Sequence, residues 1–140
     1  MRPYRLAALA AFALGAVTAR AEVVVIVSAK CPTSSLSVDQ AADIFLGKFL
    51  VFPGGAAAVP IDQNEGSALR DEFYRKSSGK AAPQMLAHWA KMIFTGRGQP
   101  PVESGDSAAV RRLVAENPNL IGYIDRSMVN GSVKVVLTLR

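Results

Sequence analysis

The chain has 140 residues, a formal charge of +5 and one cysteine, and half of its residues are hydrophobic. That length holds one ordinary domain with a core that needs no cross-links, and 19% charged residues with 11 glycines and 8 prolines exclude disordered and collagen-like chains. A single cysteine excludes an internal disulfide framework and a multi-cysteine zinc cluster, and a single histidine leaves little material for His-based catalysis. The composition therefore points away from an enzyme, with no cofactor and no metal expected.

The first segment reads as an address. Arg2 and Arg5 precede an uncharged apolar stretch over Leu6–Val17, followed by Ala19-Arg20-Ala21. A positive start, an apolar run of about 12 residues and a small-x-small site form the pattern of a secretory signal peptide. The run is shorter than the roughly 20 residues that a membrane-spanning helix needs. We expect cleavage after Ala21, giving a signal peptide over 1–21 and one domain over 22–140, with no membrane span in the processed protein. The remaining 119 residues carry 13 basic and 11 acidic side chains, so the charge falls from +5 to +2. The basicity is thus no nucleic-acid footprint, and export without disulfides points to a bacterial periplasm. Cys31, with Lys30 before it and Pro32 after it, is expected to be a lone thiol, free or cross-linking two chains.

Beyond the leader, strand and helix patterns alternate. Val23–Val27 is a continuous β-branched run, the mark of a strand covered on both faces. Ser37-Val38-Asp39-Gln40 has capping-box spacing and opens a helix through Ala41, Ile44 and Phe45, with Gly47 as its stop. Lys48–Gly55 reads as a loop packed on the core. Ala57–Ile61 reads as a short strand that Pro60 confines to an edge or a strand end. Asn64–Ser67 leads into a helix through Leu69, Phe73 and Tyr74 that closes near Gly79. Pro83 suits the first position of the next helix, where Met85, Leu86, Trp89, Met92 and Ile93 share one apolar face. Ser104–Ser107 caps a further helix through Val110, Leu113 and Val114. Leu120–Ile124 and Val133–Leu139 read as strands around an Asn130-Gly131 turn. The pattern is one α/β domain.

Three serine-rich turns stand at helix starts: Thr33–Ser37, Gly66–Leu69 and Ser104–Ser107. Each offers hydroxyls and free helix-start amides, which suit an oxyanion, although serine is also the favoured N-cap on structural grounds alone. Arg70 adds a guanidinium within the second of these helices. The candidate ligand-binding residues are Ser34, Ser35, Ser67, Arg70, Ser104 and Ser107. His88 lacks a ligand-spaced cysteine or carboxylate on its own helix, and Asp71-Glu72 face different sides, so neither forms a metal or acid–base site.

The run Val27-Ser28, Ser34–Gln40 and Ile44–Gly47, then Pro60-Ile61, Glu65-Gly66-Ser67, Arg70 and Phe73, then Asn117-Pro118 and Ile121-Gly122-Tyr123, resembles the phosphate-type periplasmic substrate-binding proteins of ABC transporters. It resembles in particular their small single-lobe relatives, over nearly all of Glu22–Leu139. The resemblance implies one lobe of a two-lobed, Venus-flytrap-like fold, with a mixed sheet flanked by helices. It also implies a small oxyanion such as phosphate as ligand, and an ABC permease or a membrane sensor as partner. In the larger relatives the segment matching Gly66–Leu69 reads Ser-Gly-Thr at a helix start that grips phosphate, and only Ser67 carries over. Ala68 and Leu69 replace the glycine and threonine, and Asp62, Gln63, Asn64 and Glu65 stand where an arginine is usual. An interaction module that kept the lobe and lost the ligand is the competing expectation.

Overall fold

The computed structural model describes residues 21–140, so the signal-peptide expectation over 1–21 falls almost entirely outside the described residues. The elements run β1 (Val23–Ser28), α1 (Val38–Phe45), β2 (Val59–Asp62), α2 (Ala68–Ser78), α3 (Ala82–Phe94), β3 (Val102–Glu103), α4 (Ser107–Glu116), β4 (Leu120–Asp125) and β5 (Val133–Leu139), with a 3-10 turn at Arg126–Met128. They build one mixed sheet in the order β3-β2-β4-β1-β5.

All six residues of β1 are buried, as its unbroken apolar run requires. Val23, Val25 and Val27 face a core shared with Phe45 of α1, Phe73 of α2 and Trp89 of α3. Val24 and Ile26 face the opposite layer, closed by Val110 and Val114 of α4. The result is a three-layer sandwich with α1, α2 and α3 on one face and α4 on the other.

β2 and β4 are parallel, whereas β1 runs antiparallel to both β4 and β5. The stretch around Asn130-Gly131 therefore joins two strands that do not pair with each other. The chain crosses over β1, which arrived first and supplies hydrogen bonds to both. Pro60 keeps its expected place in a subtler way. β2 is flanked on both sides, but Pro60 pairs only with Ile121, and the short β3 begins beside Ile61. The missing proline N–H falls where one side of the strand is open.

The capping box at Ser37 forms: Gln40 N donates to Ser37 Oγ at 3.1 Å and Ser37 N to Gln40 Oε1 at 2.9 Å. Pro83 takes the second helical position of α3, after Ala82. The apolar face expected on α3 divides. Met85 and Trp89 are buried and Met92 is partly so, while Leu86 and Ile93 are exposed, because only the side of the helix that carries Met85, Trp89 and Met92 packs on the core. The loop after α1 divides likewise: Phe52 is buried, but Phe49 and Leu50 are exposed. Cys31 is buried in the larger core cluster, which leaves its thiol no route to another chain without local opening.

β4 lies hard against α4 at one point. A Cβ on Gly122 would stand 2.5 Å from Val110 Cγ1, so this position admits only glycine at the present helix–sheet distance.

Candidate functional site

The carboxyl end of β2 is where two helix starts meet. In parallel α/β sheets such ends collect free helix amides, and ligands bind there. β2 ends at Asp62, and Gln63 follows it into the turn that starts α2. Ser67 is the N-cap of α2: its Oγ accepts from Arg70 N at 3.2 Å and donates to Gln63 Oε1 at 3.0 Å. The amides of Ala68 and Leu69 at the first two helical positions have no intrahelical acceptor. Gly66 turns the chain into this start with φ of +88°, a left-handed conformation that side chains disfavour.

The second helix start is capped by Asp106 rather than by a serine, with Ala109 N donating to its Oδ1 at 3.0 Å. The sequence holds both candidate caps within three residues, and the carboxylate takes the role because it better complements the positive end of the helix. Ser107, at the first helical position, turns inward. Its Oγ accepts from Gln63 Nε2 at 3.0 Å and from Asp125 N at 3.1 Å. Gln63 therefore ties the starts of α2 and α4 together, and its Nε2 also donates to the Tyr123 carbonyl at 3.1 Å. Ser104 lies beside this cluster, with its N–H on the Asp62 carbonyl at 2.8 Å and its hydroxyl on the Val102 carbonyl at 3.1 Å.

Beneath the helix starts lies a charged network that motif reading passed over. Asp62 is only 2% exposed. Tyr123 Oη donates to its Oδ1, Tyr74 Oη donates to its Oδ2 at 2.6 Å, and Gln63 N reaches Oδ1 at 3.1 Å. Burial pushes the Asp62 carboxyl above the ordinary aspartate range, and the two tyrosine hydroxyls, Arg70 and the Gln63 amide offset only part of that rise. Burial, then the Asp62 charge, also raise both tyrosine hydroxyls, so they stay protonated donors. Tyr123 stacks on Phe73 with ring centroids 4.0 Å apart, which holds its hydroxyl on the carboxylate.

Arg70 is already engaged. Its Nη1 donates to Glu103 Oε1 at 2.7 Å and to the Gln63 carbonyl at 2.9 Å, and its Nε stands 3.7 Å from Asp62 Oδ2. Partial burial works against its charge, but Asp62 and Glu103 outweigh that and hold the guanidinium firmly protonated. Glu103 in turn is held below the usual glutamate range, first by its bond to Arg70 and then by the Glu65 amide. One cation thus sits between two carboxylates. An incoming anion meets helix-start amides that favour it and a local side-chain charge that does not.

The structure gathers Ser67, Arg70, Ser104 and Ser107 at this end of β2. It places Ser34 and Ser35 elsewhere. They are exposed, in a stretch that runs beside β5, where Leu36 N donates to the Val136 carbonyl at 2.9 Å. β5 lies three strands from β2, roughly 14 Å at ordinary strand spacing. Tyr74, Tyr123 and Gln63 belong to the cluster although each read as core or turn in sequence. The one usable signal was Asp62 itself, a carboxylate closing an apolar strand. Among the described residues no group of three or more His, Cys, Asp or Glu side chains could hold a metal ion, and no helix is long and apolar enough to cross a membrane.

No family profile and no curated protein matches the chain. Solved structures do. A protein of Clostridium perfringens described as a phosphate ABC transporter substrate-binding protein, solved with bound phosphate, is 28% identical with a TM-score of 0.67; the match covers 83% of this chain and 44% of that one. An ABC-type phosphate transport receptor of Vibrio cholerae is 17% identical with a TM-score of 0.64, over 83% of this chain and 45% of that one. PstS of Borrelia burgdorferi is 13% identical with a TM-score of 0.62, over 83% of this chain and 46% of that one. The chain is therefore built like part of a phosphate-type substrate-binding protein, with the expected mixed sheet and flanking helices. It spans less than half the length of each of these structures.

Proposed function

We propose that this chain is an exported, non-enzymatic solute-binding lobe that receives a small oxyanion, phosphate or sulfate, against the starts of α2 and α4. The observation that carries the reading is the tie made by Gln63, which holds two helix starts, with their free amides, at the carboxyl end of one parallel strand. The likeness to a phosphate-bound structure supports the same ligand class. Ser67, Ser104 and Ser107 are the hydroxyls nearest such a ligand, and Arg70 is the cation. Ser34 and Ser35 belong to this reading only if a second body folds over them. The chain acts in the periplasm after cleavage behind Ala21, and its partner is an ABC permease or a membrane sensor.

One lobe provides one wall, whereas tight capture needs most of the ligand surface covered. Affinity for a free anion is accordingly expected to be low. Calorimetric titration of the exported protein with phosphate and with sulfate tests this, using Ser67→Gly as the control. Glycine is nearly as good an N-cap as serine but has no hydroxyl; because it also releases Gln63 Oε1, a thermal melt of the variant accompanies the titration. Losing a hydrogen bond to a charged ligand lowers affinity about tenfold or more. Equal affinity in parent and variant would reduce Ser67 to a cap.

A second reading has its own support. Asp62, Gln63, Asn64 and Glu65 fill the stretch where the resembled family usually has an arginine, and Arg70 already pairs with Glu103. A lobe with its donors turned inward suits an interaction module that no longer carries a ligand. Absence of binding heat with both anions would favour it.

A further inference from the structure

We propose that the end of the molecule formed by α3 and the loop after α1 is a docking surface for an anionic lipid bilayer. Two segments build it, residues 46–58 and 80–101. Together they carry Lys48, Lys80, Lys91 and Arg97 and no acidic residue, whereas the rest of the chain beyond Ala21 holds nine basic and eleven acidic side chains. Charge is thus segregated, although the chain as a whole is almost balanced. Gly47, Lys48, His88, Lys91, Met92 and Arg97 line an open depression of about 630 Å³. Among the described residues none of its three cations is ion-paired. Asp43 is the nearest acid in sequence, and it meets Lys48 through its backbone carbonyl, at 2.8 Å from the Lys48 N–H.

The same two segments present large apolar side chains to solvent. Phe94 is 92% exposed, Leu86 74% and Phe49 63%, and Leu50 and Ile93 are also exposed. Exposed aromatic and aliphatic side chains next to unpaired cations are what a bilayer interface selects: the apolar groups enter between headgroups and the cations meet lipid phosphates. A second copy of the chain fits less well, because two such faces would bring like charges together. The depression is built on the carboxyl end of α1, which leads through the loop to the first residue of β2.

Co-sedimentation with vesicles tests the surface. The exported protein is mixed with vesicles of phosphatidylcholine alone, and of phosphatidylcholine with phosphatidylglycerol. We expect binding to the anionic vesicles only, released by salt. Lys48→Ala, Lys91→Ala and Phe94→Ser should each lower the partition coefficient about fivefold. All three positions are solvent-exposed, and thermal melts should match the parent. Equal binding to neutral vesicles, no binding to anionic ones, or binding that all three variants retain would overturn the proposal. So would a dimer in light scattering that Phe94→Ser dissolves, because a second copy would then cover this face.

Discussion

The side-chain amide of Gln63 donates to the hydroxyl of Ser107 across 3.0 Å, joining the end of β2 to the start of α4. With its oxygen on Ser67 and its amide also on the Tyr123 carbonyl, this buried side chain has both polar atoms paired inside the chain. An arginine at this position would bring a third charge beside Asp62 and Arg70. A neutral amide holds the same elements together without one, which explains how the helix starts stay converged while the cation available to an anion is reduced to Arg70.

That cation is restrained by Glu103. Replacing Glu103→Gln keeps the side-chain shape and removes the competing charge 2.7 Å from the guanidinium. If the oxyanion reading holds, phosphate affinity measured by calorimetry should rise several-fold, and it should rise less at high salt. Because Glu103 is an exposed surface partner, thermal stability should change by less than about 1 kcal/mol.

Asp62 sets a pH dependence of the opposite sign to the usual carboxylate. Its folded-state pKa is raised above 3.8, chiefly by burial, so the folded chain holds this proton to higher pH than the unfolded chain does. The stability that goes with the bound proton is fully present below the unfolded value and is lost as pH rises through the folded one. Glu103, held below 4.5, works the other way: its contribution is present above that value and is lost as pH falls through its folded pKa. The stability of the parent relative to Asp62→Asn should therefore fall between pH values below 3.8 and neutrality. Urea midpoints for both proteins across this range would show it, and a constant difference would contradict it.

Tyr123 gives the hydroxyl that this carboxylate depends on. Tyr123→Phe keeps the stack on Phe73 but leaves Asp62 Oδ1 with the Gln63 amide alone. A loss of about 1–3 kcal/mol is expected in chemical denaturation, the ordinary cost of a buried acceptor deprived of a partner. Tyr74→Phe should cost a similar amount, and the double variant less than the sum, since both hydroxyls serve one group.

Gly122→Ala probes the closest approach between sheet and helix. The added methyl would meet Val110 2.5 Å away, so helix and sheet must separate, at an expected cost of about 1–3 kcal/mol. Adding Val110→Ala should recover part of the loss attributable to crowding. If the double variant is simply the sum of the two, the contact is not what confines this position to glycine.

The elements were legible wherever a local signal is chemically specific. The capping box at Ser37, the serine cap at Ser67 and the left-handed Gly79 ending α2 all form as the sequence spells them. Pairing was not legible, because Asn130-Gly131 encodes a turn but not what lies between the strands it joins. β3 escaped notice since two exposed residues carry no periodicity. At the site, Ser67 and Arg70 announced themselves by position. Tyr74, Tyr123 and Gln63 did not, because an aromatic at core spacing reads as packing until the fold puts a carboxylate beneath its hydroxyl. The exposure of Leu86 and Ile93 was equally hidden, for helical spacing marks an apolar face without saying whether anything covers it.

The place of β1 between β4 and β5 governs the order of assembly. Val23 pairs with Asp125 on one side and Leu139 on the other, more than a hundred positions along the chain. A polypeptide that emerges from its amino end shows its most apolar strand first and completes that strand's partners last. Until then Val23–Val27 is an unpaired, β-branched, uncharged segment, the kind that pairs with copies of itself. Pairings this distant also slow folding, because the loop must close before any contact repays it. Recovery of native protein should therefore depend on dilution and on how long that segment is kept apart from its like, more than on the stability of the finished fold.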